Sequence, residues 1–174
     1  MSRDMEIQTA DLLFVPNQHH DMDEAIAAST GNYVHVAIAM DSTHVIHASP
    51  RYGVVIQTLT VFLEESNHVD VYRPKVENSD GVVARARRFE NRPYNFSFYK
   101  DDPGVYCSQL VADVFKGVID FDEEIMQFGD GEHQISDFWS AYYLKLGVDV
   151  PLNQLGTNPN KMATSEHLKL IGKL

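Results

Sequence analysis

Between Tyr33 and Arg73 the apolar residues alternate instead of recurring at helical spacing. YVHVAIAM (33–40), HVIHAS (44–49), GVVIQTL (53–59) and HVDVYR (68–73) are each rich in β-branched residues and bounded by turn formers, which predicts successive strands. ADLLFV (10–15) predicts an earlier, shorter one. The period then changes. Val82, Val83, Ala86 and Phe89 predict an amphipathic helix over 80–91, ended by Arg92-Pro93. Cys107, Leu110, Val111, Val114 and Phe115 follow the i, i+3, i+4, i+7, i+8 pattern and put Cys107 first on the apolar stripe of a second helix. ISDFWSAYYLKLG (135–147) predicts a third, stopped by Gly147. Ahead of the strands, MDEAIAAST predicts one more, with Asp21 and Glu24 at capping-box spacing. Stretches rich in Asn, Asp, Gly and Pro near 100–104, 129–133 and 151–160 read as loops. The order is strands first, then the cysteine helix, and 174 residues are enough for one domain over 1–174.

The first hairpin determines which side chains can meet. With Asp41-Ser42-Thr43 as a three-residue loop, Met40 faces His44 and cross-strand partners have numbers summing to 84. Ala37 then lies opposite His47, and His35, Ala37, Ala39 and His47 share one face. His35 and His47 become diagonal neighbours about 7–8 Å apart, within reach of a side-chain hydrogen bond. Ala37 and Ala39 are small enough to let another element approach, and the cysteine helix is the element expected there.

Cys107 is the only cysteine, so an internal disulfide framework and a multi-cysteine zinc site are excluded. A helix N-terminus stabilises a thiolate by about 0.3–1 kcal/mol, up to ~2 when partly buried, roughly one pKa unit. Thiols near pKa 4 require about four units, which calls for an adjacent imidazolium. His35 is the candidate partner, and His47 the residue that orients its ring. Taken singly, each has a plainer role: a free cysteine is commonly a small buried hydrophobe, and strand histidines are commonly half-buried polar residues. Their joint placement favours chemistry.

Composition narrows the remaining options. Fourteen Lys and Arg against twenty-five Asp and Glu give a net charge of −11, which opposes binding to nucleic acid or an anionic membrane surface. Arg85, Arg87, Arg88 and Arg92 are expected on a solvated helix face. His19, His20, His44, His68, His133 and His167 carry no ligand spacing, so no metal is expected. Phe138, Trp139, Tyr142 and Tyr143 are expected to fill a core instead of lining a ligand pocket. No apolar leader and no run of about 18 apolar residues occurs, which predicts neither a signal peptide nor a spanning helix in this sequence.

YVHVAIAM, VIHASPRYGVV, RPYNFSFYKDDPGVYCSQLVADVF and GTNPNKMATS, in that order, resemble the circularly permuted papain-like proteins of the YiiX/YaeF group, within the NlpC-type superfamily of cysteine peptidases and amidases. The resemblance runs from Asp11 to Ser165, and its most specific element is Pro93-Tyr94 followed by Tyr106-Cys107-Ser108. It implies an α+β, permuted papain-like fold whose antiparallel sheet precedes the cysteine-bearing helix. It also implies Cys107 as nucleophile, His35 as general base, His47 as the polar third residue, and Tyr94 and Tyr106 beside the substrate. No cofactor is implied. The His35 to His47 interval is also similar to that of the lecithin retinol acyltransferase-like branch. Gln109 departs from the YCSEL form of the group, with no catalytic role assigned to it. The activity implied is cleavage of an amide in a cell-envelope peptide or lipid-linked substrate through a thioester. Acyl transfer and non-catalytic lipid or peptide binding are the alternatives. The implied location is the bacterial cell envelope or periplasm if a leader has been removed, and otherwise the cytoplasm.

Overall fold

The computed structural model describes residues 5–174. Strands β1 (Leu12–Pro16), β2 (Tyr33–Ala39), β3 (His44–Ser49), β4 (Gly53–Thr58) and β5 (Asp70–Pro74) join a late strand, β8 (Leu168–Lys173), in one antiparallel sheet of order β4-β3-β2-β1-β5-β8. A two-stranded ribbon pairs β6 (Glu124–Ile125) with β7 (Leu155–Gly156). The helices are α1 (Asp21–Thr30), α2 (Leu59–Glu65), α3 (Ser79–Arg87), α4 (Cys107–Phe115), α5 (Asp137–Leu146) and α6 (Pro159–Ala163). Among the described residues no helix is long and apolar enough to cross a membrane.

Alternation along the strands gives the sheet two apolar faces. Phe14, Val36, Ile38, Ile46 and Ala48 point to one, where Leu110, Val111, Val114 and Phe115 of α4 complete the main core. Leu13, Val15, Ala37, Ala39 and Val45 point to the other, covered by Phe62 of α2. The expected docking of the cysteine helix on the Ala37 and Ala39 face is therefore corrected: α4 packs on the opposite face, and the space above the alanines is filled by the Phe62 ring. Alternation carries the GVVIQTL run to Leu59 and gives no sign of the helix that begins there. The Thr58 hydroxyl accepts from the Val61 N–H at 3.2 Å and starts α2 there.

Other boundaries move for local reasons. His20, extended at φ −81 and ψ 159, precedes α1, so Asp21 already lies inside the helix and cannot cap it. Glu24 turns back to His19 Nδ1 at 2.9 Å and Asn17 Nδ2 at 3.0 Å, and the expected capping box does not form. Helix α3 stops at Arg87, and the chain then seals the free edge of β4 through Asn91 N–H to Val54 O and Val54 N–H to Arg92 O, both 2.9 Å. Arg85 leaves the solvated role expected of it: its guanidinium donates to the carbonyls of Val114 and Lys116, at the C-terminal end of α4. The stretch expected as loop at 151–160 contains β7 and the start of α6, where Asn158 Oδ1 caps Lys161 N–H at 2.8 Å and Pro159 occupies the first turn. Trp139 and Tyr143 are buried, but Phe138 and Tyr142 are only half-buried and Trp139 also lines the cavity described below, which corrects the expectation that these aromatics fill a core instead of a pocket. Gly147 ends α5 in the left-handed region at φ 81.

The approach to α4 is held by main chain. Val105 N–H donates to Pro93 O and Asn95 N–H to Val105 O, both at 3.1 Å, so residues 93–95 run beside the start of the cysteine helix. Gly104 makes this possible, because a Cβ there would sit 2.5 Å from Pro93 O and 2.7 Å from the Tyr94 carbonyl carbon. Both contacts are backbone and cannot swing away. Gly104→Ala is expected to push the 93–95 segment off α4 and to cost about 1–3 kcal/mol, as overpacking does. A denaturation midpoint equal to that of the parent would show that the approach is not tight.

Candidate active site

The loop Asp41-Ser42-Thr43 sets the hairpin register as read from the sequence. Thr43 N–H donates to Asp41 Oδ1 at 2.8 Å, Met40 N–H reaches His44 O at 2.8 Å, and Ile38 pairs with Ile46 and Ala39 with Val45. The ladder ends there. Ala37 and His47 do not pair, whereas β3 stays paired to β4 from His44 to Ser49 and β2 stays on β1 as far as Tyr33. The two strands part, and the opening carries the site.

Backbone direction identifies what is exposed in the opening. Ala39 N–H points to β1, donating to Asp11 O at 2.8 Å, and Met40 N–H points to β3. Alternation then turns the Val36 N–H toward β3, where no strand partner remains. Cys107 takes that place: its sulfur is faced by the N–H groups of Val36, Ser108 and Cys107 itself. The thiol is at the first residue of α4, which packs on one face of the sheet, while His35 and His47 stand on the other. Because the strands have parted, all three line one cavity of about 820 Å³.

His35 Nε2 lies 2.8 Å from His47 Nδ1, with the rings at 78° and their centroids 5.0 Å apart. The expected diagonal pair is therefore a direct hydrogen bond. His47 Nε2 lies 2.8 Å from Gln57 Oε1, so three polar side chains from β2, β3 and β4 form a line. Phe62 closes over both imidazoles, stacked on His35 at 6.3 Å and edge-on to His47 at 5.1 Å.

Burial decides the charge state. It pushes the Cys107 thiol up to about 11, against the opposing pull of the three N–H groups. Burial, together with the neighbouring His47, pulls His35 down to about 3. His47 is also lowered by burial, while its bond to Gln57 and the Glu65 carboxylate act in the other direction. Burial thus favours a neutral imidazole and a neutral thiol over the imidazolium and thiolate pair expected from the sequence.

The tyrosines sit on the Cys107 side. Tyr94 lines the cavity, its phenol held well above the ordinary range by burial and by the adjacent thiol. The Tyr106 hydroxyl accepts from Thr157 N–H at 3.3 Å and is pushed up to about 12, chiefly by burial. Gln109, given no role from the sequence, secures the start of the helix: its Oε1 accepts from Tyr106 N–H at 3.0 Å and from Asn95 Nδ2 at 3.2 Å. Fully buried Asn95 also accepts from Phe98 N–H at 2.8 Å, and holds that residue at φ 66. The sequence signal for this latch was Gln109 at the third helical position, a capping residue by spacing. Phe98, Met126, Phe128 and Trp139 form an apolar wall, and Asp23, Glu64, Glu65 and Glu124 contribute carboxylates against the single guanidinium of Arg51.

Comparison with known proteins agrees with this architecture. Over 102 residues the chain is 24% identical to the uncharacterized protein YiiX of Escherichia coli (strain K12), an alignment that covers 56% of this chain and 49% of that one. The match thus spans about half the length of that curated relative. The crystal structure of metalloprotein YiiX from Escherichia coli O157:H7 superimposes with a TM-score of 0.83 over 98% of this chain and 99% of the other, at 19% identity, and so shares the fold. A sheet whose first five strands precede the cysteine helix, with only β8 following it, is the permuted papain-like order. Residues 6–172 match the family model of the permuted papain-like amidase enzymes, and the chain belongs to that YaeF/YiiX, C92 family.

Proposed function

We propose that the protein is a cysteine-dependent amidase or peptidase in which Cys107 is the nucleophile, His35 the general base and His47 the residue that orients it. The observation that supports this most strongly is the convergence, on one cavity, of a helix-terminal thiol faced by three backbone N–H groups and a hydrogen-bonded pair of imidazoles. Since both partners are neutral at rest, the proton leaves sulfur as the bond to the substrate carbonyl forms. The Sγ–H bond breaks, His35 takes the proton, and the tetrahedral oxyanion is held by N–H groups of the first turn of α4, that of Cys107 among them. Collapse expels the amine, which receives the proton from His35, and leaves a thioester on Cys107. Water, activated by the same imidazole, hydrolyses it.

The substrate is an amide in a peptide, a lipid-linked amide or a cell-envelope peptide. Tyr94 borders the reacting carbonyl and Tyr106 shapes the cleft beside it. Four rim carboxylates against one guanidinium disfavour polyanionic substrates. The related YiiX is a metalloprotein by its description. Among the described residues of this chain no three His, Cys, Asp or Glu side chains converge, and the facing nitrogens of His35 and His47 are committed to each other. The donor set does not fit a metal, and no step is drawn through one.

A panel of peptide and N-acyl amide substrates tests the activity, with free amine and free acid as the readout. Cys107→Ala is expected to abolish turnover and His35→Gln to lower it by about 10²–10⁴, the range for a lost general base. Hydrolysis by Cys107→Ala at the parent rate would remove the thiol from the mechanism, and transfer of the acyl group to an added amine would favour the acyltransferase.

The protonation states make a separate prediction. The thiol is raised and therefore stays protonated through neutral pH, so the rate of Cys107 alkylation by iodoacetamide should climb with pH toward a midpoint above the ordinary thiol value of about 8.5. A plateau extending below about pH 6 would instead mean a preformed thiolate and imidazolium pair.

A further inference from the structure

The geometry points to Gln57 as the residue that sets the proton-accepting tautomer of His35, acting through His47. This rests on the reading of His35 as the base for Cys107, and deepens it by naming what prepares the base.

A carbonyl oxygen can only accept, so Gln57 Oε1, at 2.8 Å, requires the proton of His47 to be on Nε2. A neutral imidazole has one N–H. His47 Nδ1 is therefore an acceptor, and the bond to His35 Nε2 at 2.8 Å must be donated by His35. The single proton of His35 is then on Nε2, which leaves Nδ1 with a free lone pair. When sulfur attacks, the Sγ–H bond breaks and an Nδ1–H bond forms, while His35 Nε2–H still donates to His47. One amide orientation on β4 thus fixes two rings, on β3 and β2. Turned over, the same amide would donate to His47 Nε2, both tautomers would reverse, and His35 would carry a proton on the nitrogen that must receive one.

The chain of acceptors needs a neutral amide. A carboxylate at position 57 would favour the His47 imidazolium, whose added Nδ1–H would turn the bond to His35 around. Among the described residues, the charged group that acts on His47 is Glu65, from α2. Gln57 belongs to the continuous part of the sheet, paired with Val45, which still pairs with Ala39 of β2, so its backbone is fixed beside the opening. It touches no reacting atom and is a positioning residue.

Ring-nitrogen NMR of the full chain, uniformly labelled with ¹⁵N-histidine, tests this. The expected result is Nε2–H, with an unprotonated Nδ1, for both His35 and His47 at neutral pH. The signals are assigned by His35→Gln and His47→Gln. Gln57→Met keeps the length and removes the acceptor. It should leave mixed tautomers and slow the acylation of Cys107 by p-nitrophenyl acetate by at least about tenfold, up to the ~10⁴ seen when a catalytic histidine is held in the wrong tautomer. Nδ1–H on either ring of the parent, or a Gln57→Met protein with the parent tautomers and acylation rate, would overturn the assignment. The parent spectrum decides even if the variant does not fold. Nε2–H on both rings in a protein that never acylates would uphold the tautomer assignment and count against Cys107 as nucleophile.

Discussion

Strands β2 and β3 stay hydrogen-bonded for only two residue pairs, Ile38 with Ile46 and Ala39 with Val45, and then separate. Every feature of the site depends on that separation. A continuous ladder would consume the Val36 N–H and keep α4 and the histidines on opposite sides of an unbroken sheet. An unsatisfied buried N–H costs about 1–3 kcal/mol, so the opening needs a substitute partner. The sulfur of Cys107 faces that N–H, and the His35 to His47 bond spans the gap on the other face. The missing ladder lets a thiol from a helix on one face and imidazoles on the other line the same cavity.

The same enclosure that builds the site determines its resting chemistry. Phe62 lies over both rings, Tyr94 borders the thiol, and the helix start is latched by Gln109 and Asn95. Burial raises the thiol and lowers His35.

Several of these elements were legible in the sequence. The Asp41-Ser42-Thr43 loop predicts the register of the two pairs that form, because the Asp41 side chain holds that turn from within, while the next expected neighbours, Ala37 and His47, have parted. The apolar stripe of α4 placed Cys107 at the first helical position, and Gly147 ended α5 as its φ of 81 requires. What was hidden came from segments whose local pattern is ambiguous. LTVFLEE follows an alternating strand and reads as its tail, so α2 and Phe62 were missed, and with them the true occupant of the Ala37 and Ala39 face. HLKLIGK alternates too, but nothing local says that it returns as β8 beside β5. The termination of the β2 and β3 ladder is a tertiary event with no sequence period. Gln57 and Gln109 carry ordinary polar side chains whose partners lie on other elements.

The central claim is that Cys107 takes an acyl group from a carbonyl substrate, and the most direct measurement is the mass of the protein caught during turnover. Full-length chain mixed with an activated N-acyl amide and quenched in acid within seconds should gain the mass of one acyl group. Peptide mapping should place it on Cys107, and hydroxylamine should remove it, as expected for a thioester. An unmodified protein during turnover, or an acyl group on another residue, would contradict the account.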